Sequence, residues 1–462
     1  MTRPATTLRR SLGLTTAVLL VISSMIGSGI FKKAAPMSAA LMDDRLVLLA
    51  WLVAGMFTMF GVFSYAGLAT LTSEAGGQME YFRLVYGRFW AFLYGWASFA
   101  VIQTASIASI AYVFAESVNS VLPLPDWLAA CDSIRLFGLT PFANSGVKLL
   151  AVATILILTL INYFGVEEGG WLNNVLTLAK VTGIIMLIWM GFHYGQGTAD
   201  QAPGVETARH LSRNWNDLMG PFFLALLSAF WAFDGWINVT FITGEIRSPQ
   251  RNIPIAIIAG TAVVMLLYYL VNMAFFRVMG PEEMAAIHTA GDRVVGVEVA
   301  LRAMGPGGLW AIAVLIMLCT LGATNASLMS TARIYYRMAN TGLFFKAAGQ
   351  AHPRFQTPHK ALLMQMVWSV ILVFSGTFDQ LTDMLIFASF IFYGSGALGL
   401  LIMKRRRVIV SRVIGYPVLP VVFVLFCILL VGNTLISMPD ESLTGLGLIA
   451  LGVPLYAYFN KE

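Results

Sequence analysis

The sequence predicts an all-α polytopic membrane protein with twelve transmembrane helices, built as two five-helix halves of inverted topology followed by two further helices. Composition is the first observation: 58% of the 462 residues are hydrophobic and 11% are charged, whereas soluble domains carry roughly 45–50% apolar and about 25% charged residues. The second is that twelve segments reach the roughly 20 mostly apolar residues needed to cross about 30 Å of hydrocarbon. The third is that the first and sixth of these are interrupted by glycine and polar residues, at Ser28 and Asp234, 206 residues apart. Two five-helix repeats of opposite orientation place breaks in this way. A soluble globular domain and a disordered chain are excluded, and so is a disulfide scaffold, because 3 Cys cannot staple a chain of this length.

Lipid offers the backbone no hydrogen-bond partner, so each crossing segment is read as a helix. Spans 1 to 5 are expected at 12–35, 46–72, 89–118, 148–164 and 172–194. Spans 6 to 10 follow at 219–244, 253–279, 306–333, 361–378 and 383–403, and spans 11 and 12 at 413–436 and 442–459. Between spans 2 and 3, the stretch from Glu74 to Arg83 is too polar to cross and too aromatic for a plain linker; it predicts a short interfacial or re-entrant helix on the cytoplasmic side. The largest loops, 119–147 and 195–218, are too short for a soluble domain. The chain therefore divides into an amino-terminal segment 1–11, a first repeat 12–195, an outer loop 196–218, a second inverted repeat 219–403, and accessory spans 11 and 12 with the carboxyl terminus, 404–462.

Charge sets the orientation. Alternating sides from a cytoplasmic N-terminus puts 18 of the 29 Lys and Arg inside and 10 outside, with Lys180 inside a helix; the acids divide as 6 inside, 16 outside and Asp234 within a helix. Basic residues are retained on the cytoplasmic side, so both termini are expected there, in a multi-pass protein of the plasma (inner or cell) membrane. Arg3, Arg9 and Arg10 run straight into an apolar span without a small-residue cleavage site, so no cleaved signal peptide is expected. The net charge of +6 is explained by this sidedness, and the bilayer rather than nucleic acid is the expected partner. Cys319 and Cys427 fall in apolar runs as small hydrophobes, and Cys131 falls in a loop.

Chemistry concentrates at the breaks. Span 1 carries Ser23, Ser24, Gly27, Ser28 and Gly29 at mid-depth, where a plain anchor would use Leu and Ile. Unwinding there would expose the N–H groups of the second half-helix, whose positive dipole end holds a carboxylate; the alternative is tight helix packing through small residues. In span 6, Asp234 and Gly235 interrupt an apolar run. A carboxylate at that depth is functional or paired, or else protonated. Together the breaks supply N–H groups for the carboxylate of an amino acid and carbonyls for its ammonium. Lys180, in an apolar stretch of span 5, must be satisfied by carbonyls, hydroxyls or an acid; it reads as a proton carrier, a fixed cation or a snorkelling lysine. Phe230, Phe387 and Tyr393 read as packing aromatics. The five His show no ligand spacing, so neither a metal nor a cofactor is expected, and no phosphate-binding loop is present. An enzyme is not expected.

Three motifs in order carry a resemblance: Gly27-Ser28-Gly29-Ile30-Phe31, Glu74-Ala75-Gly76-Gly77, and Phe233-Asp234-Gly235-Trp236 leading through Gly244-Glu245-Ile246-Arg247 to Pro254. They resemble the amino acid–polyamine–organocation superfamily, and within it the prokaryotic relatives of the L-type amino acid transporters. The resemblance implies a leucine-transporter-type five-plus-five inverted repeat with two accessory helices. It places the substrate carboxylate at Ser28 and Gly29 and beside Gly27, its ammonium at the carbonyls of Ile26, Trp231, Ala232 and Asp234, and an aromatic lid at Trp231. It puts Lys180 where sodium-coupled relatives bind an ion, with Ser330 and Thr331 as its hydroxyl partners. Eukaryotic L-type members join a glycoprotein through a cysteine in the loop that holds Cys131 here; the compact prokaryotic form implies no such disulfide-linked subunit. The expected function is a sodium-independent secondary transporter of neutral L-amino acids, working by exchange or proton-coupled uptake. The alternatives are an amino acid sensor with a transporter-like pocket and a cationic amino acid or polyamine antiporter.

Overall fold

The computed structural model describes residues 10, 12–128, 142–164, 167–195, 215–290, 294–375 and 378–459. Cys131, residues 1–9, the loop 196–214 and most of the loop after span 3 lie outside the described residues. Among those described, eleven helices are long and apolar enough to cross a membrane. The ninth predicted span is shorter, a 17-residue helix at His359–Ser375, about 25 Å long at 1.5 Å per residue. Span 8 departs in the other direction. It runs from Pro306 to Asn340, past its predicted end, because Arg333 and Arg337 find acidic partners at that face of the bundle.

Burial ranks the spans. The apolar stretches of spans 1, 6 and 10 are 72% buried and that of span 3 is 83% buried, against 33% for span 11 and 28% for span 12. Four helices thus form a centre, and the last two spans lie at the periphery, with most of their surface left for lipid. Local chemistry fixes the ends: Asp43 caps span 2 by accepting from the Leu46 N–H at 2.9 Å, and Pro249 and Pro306 open spans 7 and 8, where a missing N–H costs nothing.

Both predicted breaks are present. Span 1 is helical over Leu14–Met25, bends through Ile26, Gly27 and Ser28, and resumes at Gly29–Lys32 and Ala34–Leu41. Span 6 is helical over Trp215–Phe233, turns at Gly235, and continues as a tighter 3-10 helix over Asn238–Glu245. The polar stretch after span 2 forms a helix at Gln78–Tyr86, burying Gln78, Met79, Glu80, Tyr81, Phe82 and Val85. It is tied to the end of span 6 by the Gly76 N–H, which donates to the Phe241 carbonyl at 3.0 Å.

Candidate functional site

The two breaks touch each other. A Cβ on Gly29 would stand 2.5 Å from Ala232 Cα, and one on Gly235 would stand 2.6 Å from the Ser24 carbonyl oxygen. Gly235 also has φ of +98°, a conformation that L side chains avoid. Only glycine lets these backbones approach.

Beside this contact lies a small cavity. Span 1 lines it with Ser24, Met25, Gly27, Ser28 and Gly29, span 3 with Ser106 and Ile110, span 6 with Trp231, Asp234, Gly235 and Asn238, and span 8 with Ser327. Ser28 Oγ and Trp231 Nε1 are buried without a protein partner. A buried hydroxyl or indole N–H left unpaired is costly, so each has an unused donor at its place in the fold.

Of the residues expected at the substrate, Gly27, Ser28, Gly29, Trp231 and Asp234 line this cavity, while Ile26 and Ala232 do not. Ala232 packs against Gly29, and the Ile26 carbonyl accepts from Lys180 Nζ at 3.2 Å. Lys180 is fully buried and does not snorkel. It donates to the Ser23 carbonyl at 3.1 Å and to Ser23 Oγ at 3.2 Å, passing Gly322 so closely that a Cβ there would stand 2.7 Å from Lys180 Cε. The Tyr268 hydroxyl donates to the Met25 carbonyl at 2.7 Å. Carbonyls freed by the break are thus held by spans 5 and 7.

The pairing of Lys180 with Ser330 and Thr331 is corrected. Ser330 Oγ donates to the Ala326 carbonyl at 2.8 Å, and Thr331 Oγ1 to the Ser327 carbonyl at 2.8 Å and Gln365 Oε1 at 2.9 Å. Lys180 meets span 8 at Gly322, two turns earlier, so those hydroxyls serve the packing of spans 8 and 9. Sequence reasoning also missed Ser106, Asn238 and Ser327 as cavity walls. Its one trace of them is small polar residues in otherwise apolar spans.

Asp234 is not left alone. The Tyr393 hydroxyl donates to its Oδ1 at 2.6 Å, and Asp234 also borders a second small cavity walled by Phe230, Phe233, Trp236, Phe390, Tyr393, Phe423 and Thr58. Tyr393 and Phe230 are therefore pocket walls as well as packing.

The end of the cavity beyond Ser327 is closed by charge. Arg333 and Glu245, both buried, pair at 2.9 Å. Leu12 joins Ile246 in a parallel bridge, its N–H donating to the Glu245 carbonyl at 3.0 Å and its carbonyl accepting from the Arg247 N–H at 2.9 Å. Arg337 reaches Glu80 at 3.3 Å and Glu74 at 3.2 Å. Burial pushes the Glu80 carboxyl up, but hydrogen bonds and charge from Arg83 and Arg337 outweigh it and hold the group below the usual glutamate value.

Two broken helices enclosing a polar, hydroxyl-lined cavity inside a bundle of membrane-length helices define the class: a membrane permease for a small polar solute. The sequence profile described as amino acid permease matches residues 12–457. The chain belongs to this amino acid permease family, part of the amino acid–polyamine–organocation superfamily, and amino acid transport is its function. It is 30% identical to the human b(0,+)-type amino acid transporter 1 over 438 residues, 94% of this chain and 84% of that protein. It is 27% identical to the Serine/threonine exchanger SteT of Bacillus subtilis over 464 residues, covering 98% of both. The human Cystine/glutamate transporter is 26% identical over 463 residues, 98% of this chain and 85% of that protein.

Proposed function

We propose that this permease exchanges small neutral L-amino acids across the cell membrane by alternating access, without sodium, with both termini cytoplasmic and no disulfide-linked subunit. The observation that carries the reading is the pair of facing helix breaks around a hydroxyl-lined cavity, with Lys180 bonded onto the first break. The second segment of span 1 opens at Gly29, so its first N–H groups lack intrahelical partners and face the substrate carboxylate together with Ser28. The substrate ammonium takes the backbone of span 6 at Trp231 and Asp234. Walls of Ser24, Ser106, Ser327 and Asn238 suit a short, hydroxyl-bearing side chain. A large aliphatic one would strand buried polar groups at about 1–3 kcal/mol each. Trp231 closes the cavity, and Lys180 supplies a permanent cation where sodium-coupled relatives hold an ion.

A second reading rests on the partners of Lys180, whose bonds all go to neutral oxygens of Ser23 and Ile26. An ammonium held in this way can release its proton, which would make the protein a proton-coupled symporter. Both readings are tested by uptake of a labelled amino acid panel into proteoliposomes with empty lumen, with internal amino acid, or with an inward proton gradient. Uptake that requires internal amino acid, favours small hydroxylated substrates and is lost in Lys180→Ala is the expected outcome. Gradient-driven uptake into empty vesicles, with its pH dependence flattened in Lys180→Ala, establishes symport instead. Binding without accumulation makes the protein a sensor, and preference for cationic amino acids assigns the Asp234 carboxylate to the substrate side chain.

A further inference from the structure

Phe378, assigned by the sequence to the end of span 9, is buried and instead opens the span 10 helix, Phe378–Arg405; it lies at the end of the cavity away from Arg333. It meets Trp231 edge-on, with ring centroids 5.9 Å apart and planes at 80°. Two ammonium groups from span 1 lie over the same ring: Lys32 Nζ is 4.4 Å and Lys33 Nζ 4.9 Å from its centroid. Lys32 pairs with Glu116 of span 3 at 2.6 Å. Lys33, 1% exposed, donates to Thr382 Oγ1 at 2.9 Å and stands 3.9 Å from Asp383 Oδ1, both in span 10. Spans 1, 6 and 10 therefore converge on one side chain, and span 3 is joined to it through Lys32.

Two ammonium groups on one ring repel each other. Glu116 and Asp383 offset their charge, and the electron-rich face of the ring attracts both, more strongly for being away from water. An aliphatic side chain of similar size would fill the space but present no negative face. We propose that Phe378 is the positioning residue of the outer gate: its ring joins the closure of Trp231 over the cavity to the docking of Lys32 and Lys33, so the outer path opens when the lysines leave the ring. The assignment goes beyond the transport reading and rests on it only for placing the Lys32 end outside.

The test needs no knowledge of the substrate. Ser106→Cys in a Cys131→Ser background places a thiol on the cavity wall, and Cys319 and Cys427 are buried. The rate at which a charged, membrane-impermeant thiol reagent modifies it is measured from each side of the membrane. Phe378→Leu is expected to raise labelling from the Lys32 side about tenfold, between the sizes of an exposed and a fully desolvated cation–π contact, while Phe378→Tyr stays within about twofold of the parent because it keeps the ring face. Lys32→Gln raises labelling less, and adding it to Phe378→Leu gives less than the product of the two effects, since both remove one interaction. Parent-rate labelling of Phe378→Leu overturns the proposal, as do fully multiplicative effects. If Phe378→Leu fails to insert, Phe378→Met is held to the same criteria. A rise from the opposite face alone supports the gate and overturns only the orientation.

Discussion

The two ends of the cavity are closed by different chemistry. At one end Arg333 and Glu245 pair in full burial beside a backbone bridge; at the other, two lysines share one aromatic ring and reach carboxylates at 2.6 and 3.9 Å. Arginine offers a planar fork that fixes geometry, whereas lysine is a point charge on a flexible stem. The Arg333 end is therefore a rigid closure. The Lys32 end is a softer one, whose members can separate stepwise.

Removing Arg333 should break this contrast most severely. Arg333→Ala leaves Glu245 charged and buried, a loss of about 3–5 kcal/mol, expected as a large fall in the melting temperature of the purified protein. The Arg333→Met, Glu245→Met double variant should recover most of it, and a double variant as unstable as the single would show that the pair is not what holds this end. A smaller effect is expected from Glu116→Gln. Its pair with Lys32 is partly exposed, with side chains 15% and 22% accessible, and such pairs contribute about 0.2–1 kcal/mol. Thiol labelling of the cavity should change a few fold at low salt and return to the parent rate at high salt; a salt-independent change would place the effect elsewhere.

The smallest effect concerns acid. Because the folded Glu80 carboxyl titrates below its usual value of 4.5, its contribution to stability is fully present above that value and is lost as pH falls through the lower, folded one. Relative to the intrinsic exchange rate at each pH, mild acidification should leave amide protection over Gln78–Tyr86 unchanged, stronger acidification should lower it, and Glu80→Gln should remove the dependence. Protection that falls already near neutral pH would contradict the sign.

Much of this arrangement was legible in the sequence because it is written locally. Paired glycines at 27 and 29 and the Asp234–Gly235 step mark breaks wherever they occur in an apolar helix, and the polar, aromatic stretch from Glu74 marks a helix that cannot cross. What failed depends on register between distant spans. Lys180 meets span 8 at Gly322 rather than near Ser330, and the Ile26 carbonyl turns to Lys180 rather than to the cavity. No local pattern encodes either choice. Nor does it mark Ser106 or Ser327, which become walls only because spans 3 and 8 face the breaks. Phe378 is invisible for the same reason, since one Phe among 31 gains its character from groups that spans 1 and 6 bring to it.

The contacts of Gly29 with Ala232 and of Gly235 with Ser24 have a mechanical consequence. Spans 1 and 6 are pinned to each other at mid-length, with no room for even one methyl group, so neither can slide past the other there. Any rearrangement at either end of the cavity must therefore carry the middle of span 1 and the middle of span 6 together.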